Sequence, residues 1–248
     1  MTRRLKLTIA YDGTEYSGWQ RQPNKRTLQE TIEDAFSDYT GEAVPVVASG
    51  RTDAGVHALG QVASCDFPWN HSAAVVQRAV NFRLPLDVRI LCVEDVSSDF
   101  HAISSATKKR YRYQIEDVEI GDIFQRKYVW HIPKALDVDA MVESAHYLVG
   151  RHDFASFQAA GAPRMTSVRT IYKLDIIRRE TSPRLLLEVT ADGFLYNMVR
   201  IICGSLVDVG KGKEPPRWID HALAAKDRAA AGPTAPSLGL FLMQVWYE

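Results

Sequence analysis

Apolar and polar positions alternate at Leu5, Leu7 and Ile9 and then give way to Tyr11-Asp12-Gly13, so the pattern predicts a strand running into a turn. From Leu28 the period changes. Leu28, Ile32, Ala35, Phe36 and Tyr39 recur at helical intervals up to Gly41, and Thr27-Leu28-Gln29-Glu30 has the spacing of a capping box. Residues 44–49 and 61–67 read as two strands around the loop Gly50-Arg51-Thr52-Asp53-Ala54-Gly55-Val56-His57, followed by a helix over 72–82 and a strand over 88–93.

The order strand, helix, strand, strand, helix, strand is that of ferredoxin-like and RRM-like domains. It recurs more loosely afterwards: a strand over 109–115, a helix over 138–149, strands over 167–178 and 184–190, a helix over 194–209 and a last strand over 241–247. The pattern therefore predicts an α/β (α+β) protein of two ferredoxin-like halves, 1–104 and 105–248. Their crossover is placed near 97–107, and their sheets are expected to form a central, mostly antiparallel sheet with a cleft between the halves.

Composition narrows the class without choosing a function. The 248 residues are 46% hydrophobic and 24% charged, and no apolar run is long enough to cross a bilayer. Charges followed by alternation at the N-terminus read as a first strand and not as a signal peptide, so a cytoplasmic location is the default expectation. Three scattered cysteines, Cys65, Cys92 and Cys203, argue against a disulfide framework. The seven histidines lack metal-ligand spacing, so no metal is expected. Thirty basic residues balance thirty acidic ones, and any RNA site must be a local patch. The candidates are Arg3/Arg4/Lys6, Arg21/Lys25/Arg26, Lys108/Lys109/Arg110/Arg112 and Lys211/Lys213/Arg217, each of which also fits an ordinary solvated face.

Three features carry chemistry. The loop sets Asp53 between small residues and beside Arg51, where the flanking glycines permit unusual backbone angles; a nucleophile fits this setting, and so does a plain turn. The segment 194–209 is apolar on most of its circumference yet carries Arg200, whose guanidinium stays charged and calls for an anion: Asp53, Asp208 or another carboxylate, unless it reaches solvent. In Lys108-Lys109-Arg110-Tyr111-Arg112-Tyr113 the two tyrosines share one strand face and the two arginines the other. Tyrosines on a sheet can stack on unpaired bases while arginines hold phosphates, and a half-buried edge strand gives the same pattern.

Together these residues resemble the tRNA pseudouridine synthase A family. Tyr11-Asp-Gly-Thr-Glu-Tyr-Ser-Gly-Trp-Gln20, Gly50-Arg-Thr-Asp-Ala-Gly-Val-His-Ala58, Phe100-His-Ala102, Arg110-Tyr-Arg-Tyr113, His152-Asp-Phe-Ala-Ser-Phe157, Phe194 to Arg200 and Thr234-Ala-Pro-Ser-Leu-Gly-Leu240 are similar to that family's blocks, in order and across the chain. The resemblance implies a pseudouridine synthase fold and a reaction that breaks the N1–C1′ bond of a uridine, turns the uracil and rejoins it through C5. No cofactor is implied. Asp53 takes the nucleophile's role, with Arg51 beside it and Arg200 as its ion-pair partner. Tyr111 stacks on the extruded uracil and is placed for proton transfer from C5, while Lys109, Arg110, Arg112 and Arg21 are the candidate RNA contacts. The implied substrate is the tRNA anticodon arm at nucleotides 38, 39 and 40, held by a homodimer.

Other readings remain open on the residues alone. A non-catalytic RNA-binding protein would keep Tyr111 and the basic runs. A glycoside-type hydrolase would use Asp53 with a second carboxyl as general acid, Asp12 or Asp153. A synthase acting on another tRNA position would share every motif, and the choice between attack at C1′ and at C6 is not encoded in the spacing.

Overall fold

The N-terminal alternation folds as a strand. β1 (Arg3–Tyr11) buries Leu5, Leu7, Ile9 and Tyr11 on one face. After it come α1 (Leu28–Thr40), β2 (Val47–Ala48), β3 (His57–Phe67), α2 (Ala73–Arg83) and β4 (Val88–Val96). The chain continues through β5 (Ala106–Glu116), β6 (Trp130–His131), α3 (Val138–His146), β7 (Gly150–Asp153), β8 (Val168–Arg178), β9 (Arg184–Ala191), α4 (Met198–Gly210), α5 (Trp218–Ala225) and β10 (Leu240–Tyr247). This computed structural model describes residues 2–161, 166–178 and 182–247. It groups them into two units, Met1–Thr107 with Phe241–Glu248, and Lys108–Leu240.

In the first unit β1 lies between β4 and β3, antiparallel to both, and β2 pairs antiparallel with β3 at Val47↔Ser64. This is the ferredoxin-like order that the pattern predicts. β3 starts at His57, four residues ahead of the expected strand, because β10 pairs parallel with its first residues, Phe241↔His57 and Leu242↔Ala58. The closing strand, read from the sequence with the second half, thus belongs to the first unit. The other face of β1 carries Arg4 and Lys6. Their partners are Asp66 at 2.9 Å and Glu94 at 2.9 Å, and Arg3 pairs with Asp95 at 2.8 Å. This basic run is therefore a salt-bridged sheet surface, with each pair stabilising by roughly 0–1 kcal/mol.

In the second unit β5, β9, β8 and β7 form an antiparallel sheet in that order, with β6 parallel to the end of β5. β5 turns Tyr111, Tyr113 and Ile115 inward and leaves Arg110 and Arg112 half-buried, as its alternation predicts. α4 begins at Met198 and not at Phe194, because Asn197 adopts a left-handed conformation (φ 59°) and breaks the helical run. Arg200 consequently lies in the first turn of the helix instead of its middle. Apart from Arg200 and Asp208, every residue of α4 is buried.

α4 packs so closely on the segment before β10 that a Cβ at Gly204 would lie 1.8 Å from the Pro233 carbonyl oxygen. Helix propensity alone says that Gly204→Ala should stabilise by about 1 kcal/mol. The packing predicts the opposite sign, a loss of about 2–3 kcal/mol or more, because backbone and not a movable side chain occupies the space. Chemical denaturation of the variant decides the sign, and a gain in stability would refute the packing.

Candidate active site

The loop between β2 and β3 is held by the backbone on three sides. The Asp53 carbonyl accepts from the Val56 amide at 3.1 Å, closing a tight turn in which Gly55 has φ 76°. The Thr52 carbonyl accepts from the Trp19 amide at 3.0 Å, and the Gly55 amide donates to the Tyr16 carbonyl at 3.3 Å. Thr52 is buried, Asp53 half-buried and Arg51 exposed, so the chain places its carboxylate at the rim of a fixed turn.

The segment that grips the loop is itself fixed by α1. The first amides of a helix have no partner within it. Here Leu28 donates to the Gly18 carbonyl at 3.1 Å and Gln29 to the Trp19 carbonyl at 2.9 Å. The capping-box spacing at Thr27 does not produce a side-chain cap, because these two carbonyls already occupy the end of the helix. Trp19 is buried with its ring centroid 6.1 Å from that of Tyr11. Tyr16 is tied down as well: its phenol donates to Asp87 at 2.8 Å, and the Arg26 guanidinium lies over its ring at 4.3 Å.

The far end of the loop is anchored by His57, buried and stacked on Phe241 at 4.6 Å. Its Nδ1 lies 3.1 Å from the Gly13 amide and 3.1 Å from Asp12 Oδ1. One nitrogen cannot accept from the first and donate to the second. The Gly13 amide can only donate and an ionised carboxylate can only accept, so the tautomer of His57 decides which of the two bonds is made. Asp12 Oδ1 in turn accepts from the Thr14 amide at 3.0 Å and the Thr14 hydroxyl at 2.6 Å. His57 and Trp19 both lie within the motif blocks, but the sequence does not show what they hold, because each acts through a contact distant along the chain.

In the second unit Tyr111 is buried and meets Phe194 edge to face, with centroids 5.1 Å apart. Tyr113, on the same strand face, donates its hydroxyl to the Pro236 carbonyl at 2.7 Å, and burial pushes its phenol pKa up. Arg200 is clamped to one residue twice: its Nε donates to the Ala235 carbonyl at 2.8 Å, and its own carbonyl accepts from the Ala235 amide at 3.1 Å. Its Nη1 donates to Asn197 Oδ1 at 2.9 Å. Asp208 is bonded to Lys213 at 2.9 Å. The expected Asp53–Arg200 pair would join residues of the two units.

The basic candidates differ in what surrounds them. Arg112 faces its cross-strand partner Glu188, with Nε donating to Oε1 at 2.7 Å. Arg21 sits among Glu30, Glu33 and Asp34 at 3.1–3.6 Å. Lys109 and Arg110 are half-buried on β5, opposite Ala191 and Thr190 of β9. Asp153, one of the two acids a hydrolase could use, has its carboxyl held below the usual range by the Ser167 hydroxyl, with Lys226 nearby, and so remains ionised near neutrality. A group in that state is a poor general acid. Among the described residues no three His, Cys, Asp or Glu side chains gather in a way that could hold a metal ion.

Gly18 decides whether the grip on the loop can exist. Its φ is 92°, and a Cβ there would lie 2.8 Å from the Thr52 carbonyl oxygen. Gly18→Ala should therefore break the bond between Trp19 and Thr52. The Trp19 amide should lose at least about tenfold of its protection in hydrogen exchange, with stability reduced by roughly 1–3 kcal/mol. Unchanged protection at Trp19 would refute this role.

The family model described as tRNA pseudouridine synthase matches residues 7–103 and 144–248. The chain is 47% identical over 247 residues to the tRNA pseudouridine synthase A of Bacillus pumilus (strain SAFR-032), covering 99% of each chain. It is 47% identical over 247 residues to that of Bacillus subtilis (strain 168), again covering 99% of each. With that of Geobacillus kaustophilus (strain HTA426) it shares 46% over 250 residues, covering 100% of this chain and 96% of the other. A solved chain titled "Crystal Structure of a Cbf5-Nop10-Gar1 Complex" aligns with 96% of this chain and 57% of its own length at 11% identity and a TM-score of 0.34, too distant to bear on the fold. The matched residues include the Asp53 loop with the segment that grips it, and α4 with the Ala235 clamp, so the chain belongs to the tRNA pseudouridine synthase family.

Proposed function

We propose that this enzyme isomerises uridine to pseudouridine in the anticodon arm of tRNA, at nucleotides 38, 39 and 40, with Asp53 as the nucleophile. The observation that carries this reading is the loop itself. A carboxylate next to Thr52, whose carbonyl and hydroxyl are both bonded, is presented by a backbone that does not have to reorganise when the substrate arrives. A plain turn would not call for a buried tryptophan and the amides of a helix N-terminus to support it.

The reaction balances without an external reagent. The N1–C1′ bond breaks, a C5–C1′ bond forms, the proton on C5 leaves and N1 ends with a proton. Attack by Asp53 at either C1′ or C6 is compatible with that account. The ionised carboxylate is the reactive form, and a guanidinium partner keeps it ionised. Arg200 is assigned to that part by the resemblance and by its own surroundings, since the bonds to Ala235 and Asn197 hold it in the first turn of α4, where the helix dipole is also positive. Tyr111, steadied by Phe194, is assigned to stacking on the extruded uracil. Lys109, Arg110, Arg112 and Arg21 are the proposed RNA contacts. Arg112 and Arg21 would have to exchange carboxylate partners for phosphate, which makes their contribution salt-sensitive. The reading includes a homodimer acting in the cytoplasm.

Nucleotide-resolved pseudouridine mapping of unmodified tRNA tests the reaction and its position together. Conversion at nucleotides 38, 39 and 40 is expected; conversion elsewhere would reassign the target, and binding without conversion would support the RNA-binding alternative. Tyr111→Phe should bind tRNA normally and lose at least about tenfold in turnover if the hydroxyl moves a proton. Unchanged turnover would confine Tyr111 to stacking.

A further inference from the structure

Beneath the Asp53 loop, four buried polar side chains meet among apolar neighbours: Tyr11, Ser49, Thr52 and Gln61. Burying polar groups in this way is costly unless each is bonded. Gln61 is the centre of the group. Its Nε2 donates to the Gly50 carbonyl at 3.0 Å and to the Tyr11 phenol oxygen at 3.4 Å, while its Oε1 accepts from the Ser49 hydroxyl at 2.9 Å and the Val62 amide at 3.1 Å. The orientation of the carboxamide is determined, because the Gly50 carbonyl can only accept and the Val62 amide can only donate. An NH₂ group can only donate, so the Tyr11 oxygen accepts from it. The same oxygen lies 2.8 Å from the Thr52 hydroxyl, and either of the two can be the donor of that bond. The Ser49 amide completes the set by donating to the Val62 carbonyl at 2.7 Å.

We propose that Gln61 is the positioning residue of the catalytic loop: from the floor of the sheet it fixes Ser49, Gly50 and, through Tyr11, Thr52, and so sets where the Asp53 carboxylate stands. This inference rests on Asp53 being the nucleophile. The site needs a donor and an acceptor at once on one short side chain, which a carboxamide supplies and an ionised carboxylate does not. Leucine would leave the Gly50 carbonyl and the Ser49 hydroxyl without Gln61, and glutamate would present an acceptor where a donor is required. Burial pushes the Tyr11 phenol up to about 12, so it keeps its proton at any working pH. The other phenol at this site, Tyr247, reaches Ser49 and is also raised by burial. His57 starts the strand that carries Gln61, and Arg51 and Asp53 lie on the loop above.

The test is Gln61→Glu, which preserves size. At pH 8 its kcat should fall at least about 30-fold, with tRNA affinity and KM within about threefold of wild type, since displacing a reactive group by about 1 Å can cost about 100-fold. Lowering the pH should restore kcat toward the wild-type value, because a protonated carboxyl can again donate and burial raises the pKa of the introduced group. Wild type should lack this limb, and thermal melting at both pH values should show the variant equally folded, so that the recovery reports on the site and not on refolding. Tyr11→Phe, which removes one hydroxyl, should lower kcat in the same selective way, and adding it to Gln61→Glu should cost less than the product of the two single effects. It carries the test alone if thermal melting shows that Gln61→Glu does not fold. A folded Gln61→Glu with kcat within about threefold of wild type at pH 8, or a loss confined to KM, overturns the proposal. Asp53→Asn is assayed alongside. Turnover by that variant would overturn the nucleophile assignment, whereas an inactive Asp53→Asn beside a fully active Gln61→Glu would overturn only the role of Gln61.

Discussion

The hydrogen bond from the Trp19 amide to the Thr52 carbonyl is the constraint on which the Asp53 loop depends. It can form only because position 18 has no side chain, and it persists because the adjoining carbonyls are taken up by the first amides of α1. A helix N-terminus is usually satisfied by a side-chain cap or by water. Here it holds a strap of backbone against the loop that carries Asp53. Local rigidity comes from backbone groups, which have little conformational freedom left to lose, and not from the flexible side chains of the loop.

The second unit uses the same economy around Arg200. Close approach at Gly204 brings the segment through Ala235 against α4, and Ala235 then receives the Arg200 guanidinium and donates to its carbonyl. Tyr113 holds the next residue, Pro236, from β5. A charged side chain at the start of an otherwise buried helix is thereby given a fixed direction. Two of its bonds within the unit go to neutral oxygens, the Ala235 carbonyl and the Asn197 amide.

Much of this architecture is legible from the pattern of apolar positions, since β1 and α1 bury the face that their spacing marks and α2, β8 and β9 fall on the segments read as helix and strands. Edges and ends are less legible. The strand read over 44–49 is reduced to the two residues of β2, the four residues of β7 are too few to show a period, and α5 is only eight residues long. Periodicity also cannot say which sheet an apolar strand joins, and β10 joins β3. The start of α4 was hidden because Phe194 and Leu195 are apolar like the helix, while the left-handed Asn197 that begins it has no signature beyond its residue type. Of the candidate site, the motif blocks marked Asp53 and also contained Trp19 and His57, but not what these two hold. Gln61 lies in an apolar run and is recognised only once its partners, at Gly50 and Tyr11, come together in the fold.

The central claim is that the Asp53 carboxylate is the reacting group and not a structural member of its turn. It is tested most directly by single-turnover release of tritium from C5 of labelled uridine in tRNA, with enzyme in excess, comparing wild type with Asp53→Asn, which keeps the shape of the side chain and removes its charge. The account predicts tRNA binding within about threefold of wild type and no detectable release by the variant, because a neutral amide cannot attack. Release by Asp53→Asn at a rate within about tenfold of wild type would contradict it.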